Sequence, residues 1–141
     1  MEITFAAKDD INGILAVQTQ IYRIDRLPDN AKVILSELID SKDCDVVVAK
    51  QDNKIVGSCF LFYIQVPAHG SPYSLLEGMV VHESQRGKGI GTDLTKKAIE
   101  LARQKGCYKI IFTSGFDREE ANKFYENQGF KKWGYEFRMD L

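Results

Sequence analysis

The spacing of apolar positions changes several times along the chain, and each change marks an element. Residues 3–7 read as a short first strand. Ile11, Ile14, Leu15, Ile21 and Tyr22 then recur at helical spacing behind Asp9 or Asp10 as N-cap, with Gln18 a polar exception on the stripe. Arg26-Leu27-Pro28-Asp29-Asn30 breaks that helix, and Asp29 or Asn30 caps a second one bearing Val33, Ile34, Leu38 and Ile39. Residues 44–49 are rich in β-branched side chains and read as a strand. Gln51-Asp52-Asn53-Lys54 is a hairpin turn, because Asp and Asn tolerate the positive φ that such turns need. A long strand follows over 55–66, where Gly57 marks a bulge, then an exposed loop over 67–72 and a strand over 73–81.

From Ile90 the helical period returns. Ile90, Leu94, Ala98, Leu101 and Ala102 share one face, and Gly106 ends the helix. Residues 108–113 form a strand whose middle, Ile110-Ile111-Phe112, is expected to be buried on both faces. Glu119–Asn127 is a short helix stopped at Gly129, and residues 132–141 supply the last strand or strands. The order β-α-α-β-β-β-α-β-α-β predicts an α/β fold. It is read as a single domain over residues 1–141, a mixed β-sheet with helices on both faces. The passage from Val81 to Ile90 is a strand–loop–helix crossover, so parallel pairing is expected in that part of the sheet.

Composition narrows the class. The chain has 141 residues, 44% apolar and 28% charged, with a formal net charge of −1 at pH 7. These are values of a soluble globular domain, and they leave no basic excess to neutralise a nucleic acid. No apolar run approaches the roughly 20 residues that span a bilayer, so no membrane partner is expected. The start, Met1-Glu2-Ile3-Thr4-Phe5, has no apolar signal core, which predicts a cytoplasmic protein. Cys44, Cys59 and Cys107 are odd in number and lie far apart in apolar surroundings. They read as buried thiols of a reducing compartment rather than a disulfide framework or zinc site. His69 and His82 lack metal-ligand spacing, and no metal is expected.

The chemistry concentrates in the segment that runs from Leu76 to Thr92. Gly87, Gly89 and Gly91 alternate between a strand and a long amphipathic helix. Glycine lets the backbone approach a ligand closely, and the first N–H groups of the helix have no internal partner. With the helix dipole they form an anion site, beside which Arg86 and Lys88 add positive charge. No Walker A run is present. A dinucleotide fingerprint begun at Gly87 would need glycine where Thr92 stands, and one begun at Gly89 would need it at Leu94. The run is instead Arg86-x-x-Gly89-x-Gly91.

That run resembles the Gln/Arg-x-x-Gly-x-Gly/Ala signature of the GNAT N-acetyltransferase family at its strand–helix junction. Ala121-Asn122-Lys123-Phe124-Tyr125-Glu126-Asn127-Gln128-Gly129-Phe130 resembles the family's other signature, a helix bearing Ala and Tyr followed by Gly-Phe. Both blocks and the element order agree with the family over almost the whole chain. The resemblance implies acetyl-CoA as acyl donor, released as CoA, with Arg86, Gly87, Lys88, Gly89, Ile90, Gly91 and Thr92 around its pyrophosphate. It also implies that Met79, Val80 and Val81 splay from the neighbouring strand and pair their backbone with the pantetheine arm, with Gly78 allowing the bulge that opens the strand.

Two catalytic candidates follow. A Tyr at the helix position of Tyr125 serves the family as general acid to the leaving thiolate; the alternative is a Tyr packed on Phe124 and Phe130. Glu77 lies amid Leu75, Leu76, Met79, Val80 and Val81, an unusual place for a carboxylate. Burial would raise its pKa toward neutrality and suit it as general base; the alternative is a structural carboxylate. His82 reads as solvated. Arg118 stands where many relatives carry Asn, so an Asn contact to the cofactor cannot be carried over. Direct transfer in a ternary complex is preferred to an acetyl-Cys route, since Cys107 lacks a partnered base. The acceptor is expected to be a small-molecule amine, lined by residues such as Tyr22, Arg23, Asp25, Arg26, Tyr63, Tyr73 and Trp133 on fold-level analogy. A non-catalytic acyl-CoA sensor and an interaction module stand as alternatives, and a homodimer would cover the edge near residues 132–141.

Overall fold

The computed structural model describes all residues, 1–141. They fall into two compact units, Met1–Ile111 and Phe112–Leu141.

The first unit holds one five-stranded sheet, β1 (Glu2–Phe5), β2 (Cys44–Gln51), β3 (Lys54–Val66), β4 (Ser71–Val81) and β5 (Ile110–Ile111), lying side by side in chain order. The first three pairings are antiparallel, and β4 with β5 is parallel. The crossover between β4 and β5 carries α3 (Ile90–Gln104), as the strand–loop–helix passage requires. The helices α1 (Ile11–Tyr22) and α2 (Ala31–Asp40) fill the connection from β1 to β2. At the β2–β3 hairpin Asp52 and Asn53 have φ of 50° and 60°, the left-handed pair that a two-residue turn demands.

Pleating sends alternate residues of each strand to opposite helices. Cys44, Val46 and Val48 of β2 pack with Ile14 and Leu15 of α1 and Leu35 of α2, flanked by Phe60 and Phe62 of β3. On β3, Gly57 faces Leu94 and Ile90 of α3, while Ser58 bonds to Gln18 of α1. Helices thus cover both faces. The α3 stripe Ile90, Leu94, Ala98, Leu101 and Ala102 is buried as its spacing predicts.

Two bulges interrupt the ladders. Ala49 pairs with Gly57 but Lys50 with Ile55, so Val56, beside Gly57, is the extra residue. Ser58 pairs with Val80 but Phe60 with Glu77, so Gly78 and Met79 together face Cys59 alone. Gly78 has φ of 60°, the left-handed conformation that opens such a bulge.

The second unit contains α4 (Glu119–Asn127). Tyr125 packs against Phe112 at 4.2 Å between ring centroids and edge-on to Phe124 and Phe130. Asn122 Nδ2 donates to the Gly115 carbonyl at 3.0 Å, tying the helix to the turn before it.

Two sequence expectations are corrected. Residues 132–141 form no strand, although Trp133, Tyr135, Phe137, Met139 and Leu141 alternate with polar residues as a strand would. A strand exists only as part of a ladder, and no other strand pairs with this segment, whose apolar side chains are exposed. β5 is likewise two residues long rather than six, and Ile111 is exposed, because as the sheet's edge it is paired on one side only. No helix is long and apolar enough to cross a membrane.

Candidate active site

Glu77, Met79, Val80 and Val81 lie on β4 around the Gly78 bulge. Leu76, Gly78 and Val80 are buried, while Glu77, Met79 and Val81 are half-buried. Glu77 is therefore half-buried rather than buried: pleating sends Leu76 to the covered face, while Leu75, two residues before it, shares its side of β4. Tyr22, on the last turn of α1, lies close enough for the Glu77 charge to act on it. Its phenol is held above the ordinary range by burial first and by the Glu77 carboxylate second.

After β4 the chain turns through a short 3-10 helix, Glu83–Gln85, and four side chains hold the turn. His82 Nδ1 accepts from the Ser84 N–H at 3.2 Å, so this ring caps the turn rather than standing free in solvent. Gln20 Oε1 of α1 accepts from the Glu83 N–H at 3.1 Å. Arg86 Nε donates to the Val81 carbonyl at 3.1 Å, locking the start of the glycine run onto the end of β4. Lys88 Nζ donates to Gln85 Oε1 at 2.9 Å.

Gly87 and Gly89 have φ of 76° and 84°. A β-carbon on either would meet no atom within 4 Å. The protein itself thus leaves open space over this turn, and both residues are exposed. Gly89 is the N-cap of α3, and its carbonyl accepts the first helical bond, from the Asp93 N–H at 3.0 Å. Ile90, Gly91 and Thr92 form the first turn, whose N–H groups face outward along the dipole. The arrangement is a short glycine-lined cradle with a positive rim, suited to a pyrophosphate. No cluster of three His, Cys, Asp or Glu side chains could hold a metal ion. A shallow depression lined by Lys96, Ile99, Glu100, Arg103 and Gln104 lies elsewhere on α3 and shares no residue with the cradle.

Tyr125 belongs to the second unit, where it is half-buried among Phe112, Phe124 and Phe130. Among the acceptor candidates, Tyr63 is withdrawn: it is buried, and its hydroxyl donates to Asp45 Oδ2 at 2.6 Å, so it serves the sheet. Arg26 forms an exposed ion pair with Asp29. Tyr73 lies on β4 with Lys109 over its ring, and Trp133 is almost fully exposed. The residue that sequence reasoning passed over is Gln18. Its one signal was polarity on an apolar helix face, and it reaches the Gly78 bulge directly.

Comparison with known proteins places these features. The chain is 37% identical over 89 residues to a glucosamine 6-phosphate N-acetyltransferase of Trypanosoma brucei brucei, covering 62% of this chain and 58% of that protein. It is 30% identical over 135 residues to a histidine N-acetyltransferase of Xenopus tropicalis, 94% of this chain and 39% of that one. The chain thus spans well under two thirds of the length of either relative. A structure from Bacillus halodurans C-125, described as a transcriptional regulator, superposes with a TM-score of 0.89 at 28% identity over 99% of both chains. The profile of the Acetyltransferase (GNAT) family matches residues 12–130. That span takes in β4, its bulge, the glycine turn and α4, and the chain belongs to this family.

Proposed function

We propose that residues 1–141 act as one acetyl-CoA-dependent N-acetyltransferase domain, moving acetyl directly to a primary amine of a small molecule in a ternary complex. The observation that carries this reading is the open left-handed turn at Gly87 and Gly89, anchored by Arg86 to the end of a bulged β4. When bound, acetyl-CoA supplies the thioester. Backbone N–H groups from Gly87 to Thr92, with Arg86 and Lys88, hold its pyrophosphate. The backbone of Met79, Val80 and Val81 holds the arm, and an N–H there stabilises the carbonyl oxygen as it gains charge. Glu77 is the general base that accepts the ammonium proton, directly or through a water. Tyr125 is the general acid that protonates the departing sulfur, a role taken from the family resemblance. The names of the two curated relatives, which act on glucosamine 6-phosphate and histidine, support a small polar amine as acceptor.

The same reading takes the protein as a cytoplasmic homodimer. Its three cysteines are free thiols, and a second copy would cover the exposed row from Trp133 to Leu141. Light scattering over a range of concentrations decides the second point.

The test is thermal unfolding with acetyl-CoA, with ATP as control, followed by thiol release with glucosamine 6-phosphate, histidine and a wider amine panel. Ligand at a hundred times its dissociation constant adds about 2.7 kcal/mol of stability. A shift with acetyl-CoA and not ATP, followed by thiol release, supports the enzyme. A shift without turnover on any amine leaves a binding module. No shift at all removes both readings.

A further inference from the structure

We propose that Gln18 is a positioning residue, whose carboxamide clamps the β4 bulge and so sets the backbone from Met79 to Val81 and the direction of Glu77. Gln18 is only 5% exposed, on the core-facing stripe of α1. Its Nε2 lies 2.9 Å from Ser58 Oγ and 2.9 Å from the Gly78 carbonyl. Ser58 is the last β3 residue in register before the shift, paired with Val80, and Gly78 is the bulge residue itself. One amide group therefore spans both strands where their ladder is interrupted. A bulge leaves backbone groups without ladder partners, and a buried carbonyl so left costs free energy. Gln18 supplies the missing donor. The carbonyl of Gly78 can only accept, so it is the nitrogen of the carboxamide that faces it.

Two further observations point past mere packing. Gln18 Oε1 is buried without a hydrogen-bond partner, a cost that an apolar side chain of the same volume would avoid. A carboxamide at this place fits a requirement on geometry rather than on stability. One turn further along α1, Tyr22 lies within electrostatic range of Glu77. Successive turns of α1 thus approach the successive β4 residues Gly78 and Glu77, at the bulge.

The proposal rests on the acetyltransferase reading for its kinetic part only. The test uses Gln18→Met, which keeps volume and removes the donor, and Ser58→Ala, which removes the β3 anchor alone. In the unliganded protein, amide hydrogen exchange at Gly78 and Met79 is expected to accelerate about tenfold in Gln18→Met. In turnover, kcat is expected to fall about tenfold or more, while the KM for acetyl-CoA rises by a smaller factor, because the glycine turn keeps its hold and only the arm-holding backbone of Met79 to Val81 is disturbed. Ser58→Ala is expected to lower kcat less, and to add nothing further in the Gln18→Met background. Wild-type exchange rates at the bulge in Gln18→Met would overturn the clamp. A lower Tm with unchanged kcat would reduce Gln18 to a structural role. If the wild-type protein neither binds nor turns over acetyl-CoA, the acetyltransferase reading fails, and the exchange rates still judge the clamp by themselves.

Discussion

A β-carbon placed on Gly78 would stand 2.7 Å from Cδ2 of Phe60, the β3 residue just past the register shift. Gly78 also holds φ of 60°, so two independent constraints require glycine there. Gly78→Ala should therefore combine left-handed strain with overpacking and cost roughly 2–4 kcal/mol. Urea denaturation at constant m-value measures it. A loss below about 0.5 kcal/mol, the range of an ordinary surface change, would show that β3 and β4 accommodate a β-carbon without strain.

Glu77→Gln keeps the shape of the side chain and removes its charge. If Glu77 is the base, kcat should fall about a hundredfold or more, with acetyl-CoA binding retained. The same variant carries a readout independent of activity. The Glu77 charge helps to hold the Tyr22 phenol up, so its removal should let that phenol titrate lower. Ultraviolet titration of phenolate checks this, with Tyr22→Phe identifying the signal. Tyr125→Phe, removing one hydroxyl, should lower kcat about tenfold or more and leave the acetyl-CoA dissociation constant in place.

Gly89 and Gly106 form a matched pair. Their φ values are 84° and 74°, and a β-carbon on either meets no atom within 4 Å. Each change to Ala should therefore cost about 1–2 kcal/mol of stability through backbone strain alone. Only Gly89 lies in the cradle. Gly89→Ala should weaken acetyl-CoA binding about tenfold, since a side chain keeps the ligand from the backbone, and Gly106→Ala should not. Calorimetric titration of both variants decides it, and equal affinities would remove the cradle from the binding site.

Much of this was legible because period and punctuation agree locally. The α3 stripe from Ile90 to Ala102 and the Asp52-Asn53 turn each follow from a short run of residues whose conformation few alternatives satisfy, whereas the Gly78 bulge was expected from the family resemblance. What failed depends on partners elsewhere. Residues 132–141 have the alternation of a strand, but a ladder is made by a second strand that no local pattern reports. The degree of burial of Glu77 was not legible for a related reason: its sequence neighbours do not report which side of β4 is covered, and it is half-buried on the side it shares with Leu75. Gln18 was visible only as a break in a stripe. Its partners lie 40 and 60 residues away, so its use emerged only from the folded chain.

Stability should fall in strong alkali more steeply than exposed groups would predict, and the cause is the buried thiols. Burial, with the Asp45 charge adding to it, pushes Cys44 from 9.0 to about 12. Burial chiefly, then Cys44, pushes Cys59 to about 12 as well. Well below pH 9 both thiols keep their protons whether the chain is folded or not. Between pH 9 and 12 the unfolded chain loses them while the folded chain holds them. The folded state then binds more protons, so the free energy of unfolding decreases as pH rises through that window. Tyr63 acts in the same direction at the upper end, since burial and the hydrogen bond to Asp45 both favour its protonated phenol. The measurement is urea denaturation at several pH values from neutral to strongly alkaline. Cys59→Ala should lower stability at every pH through lost packing, yet flatten the slope above pH 9. An unchanged slope in that variant would mean that Cys59 ionises as readily in the folded chain as in the unfolded one, and that its place between β2 and β4 gives the thiol no protection.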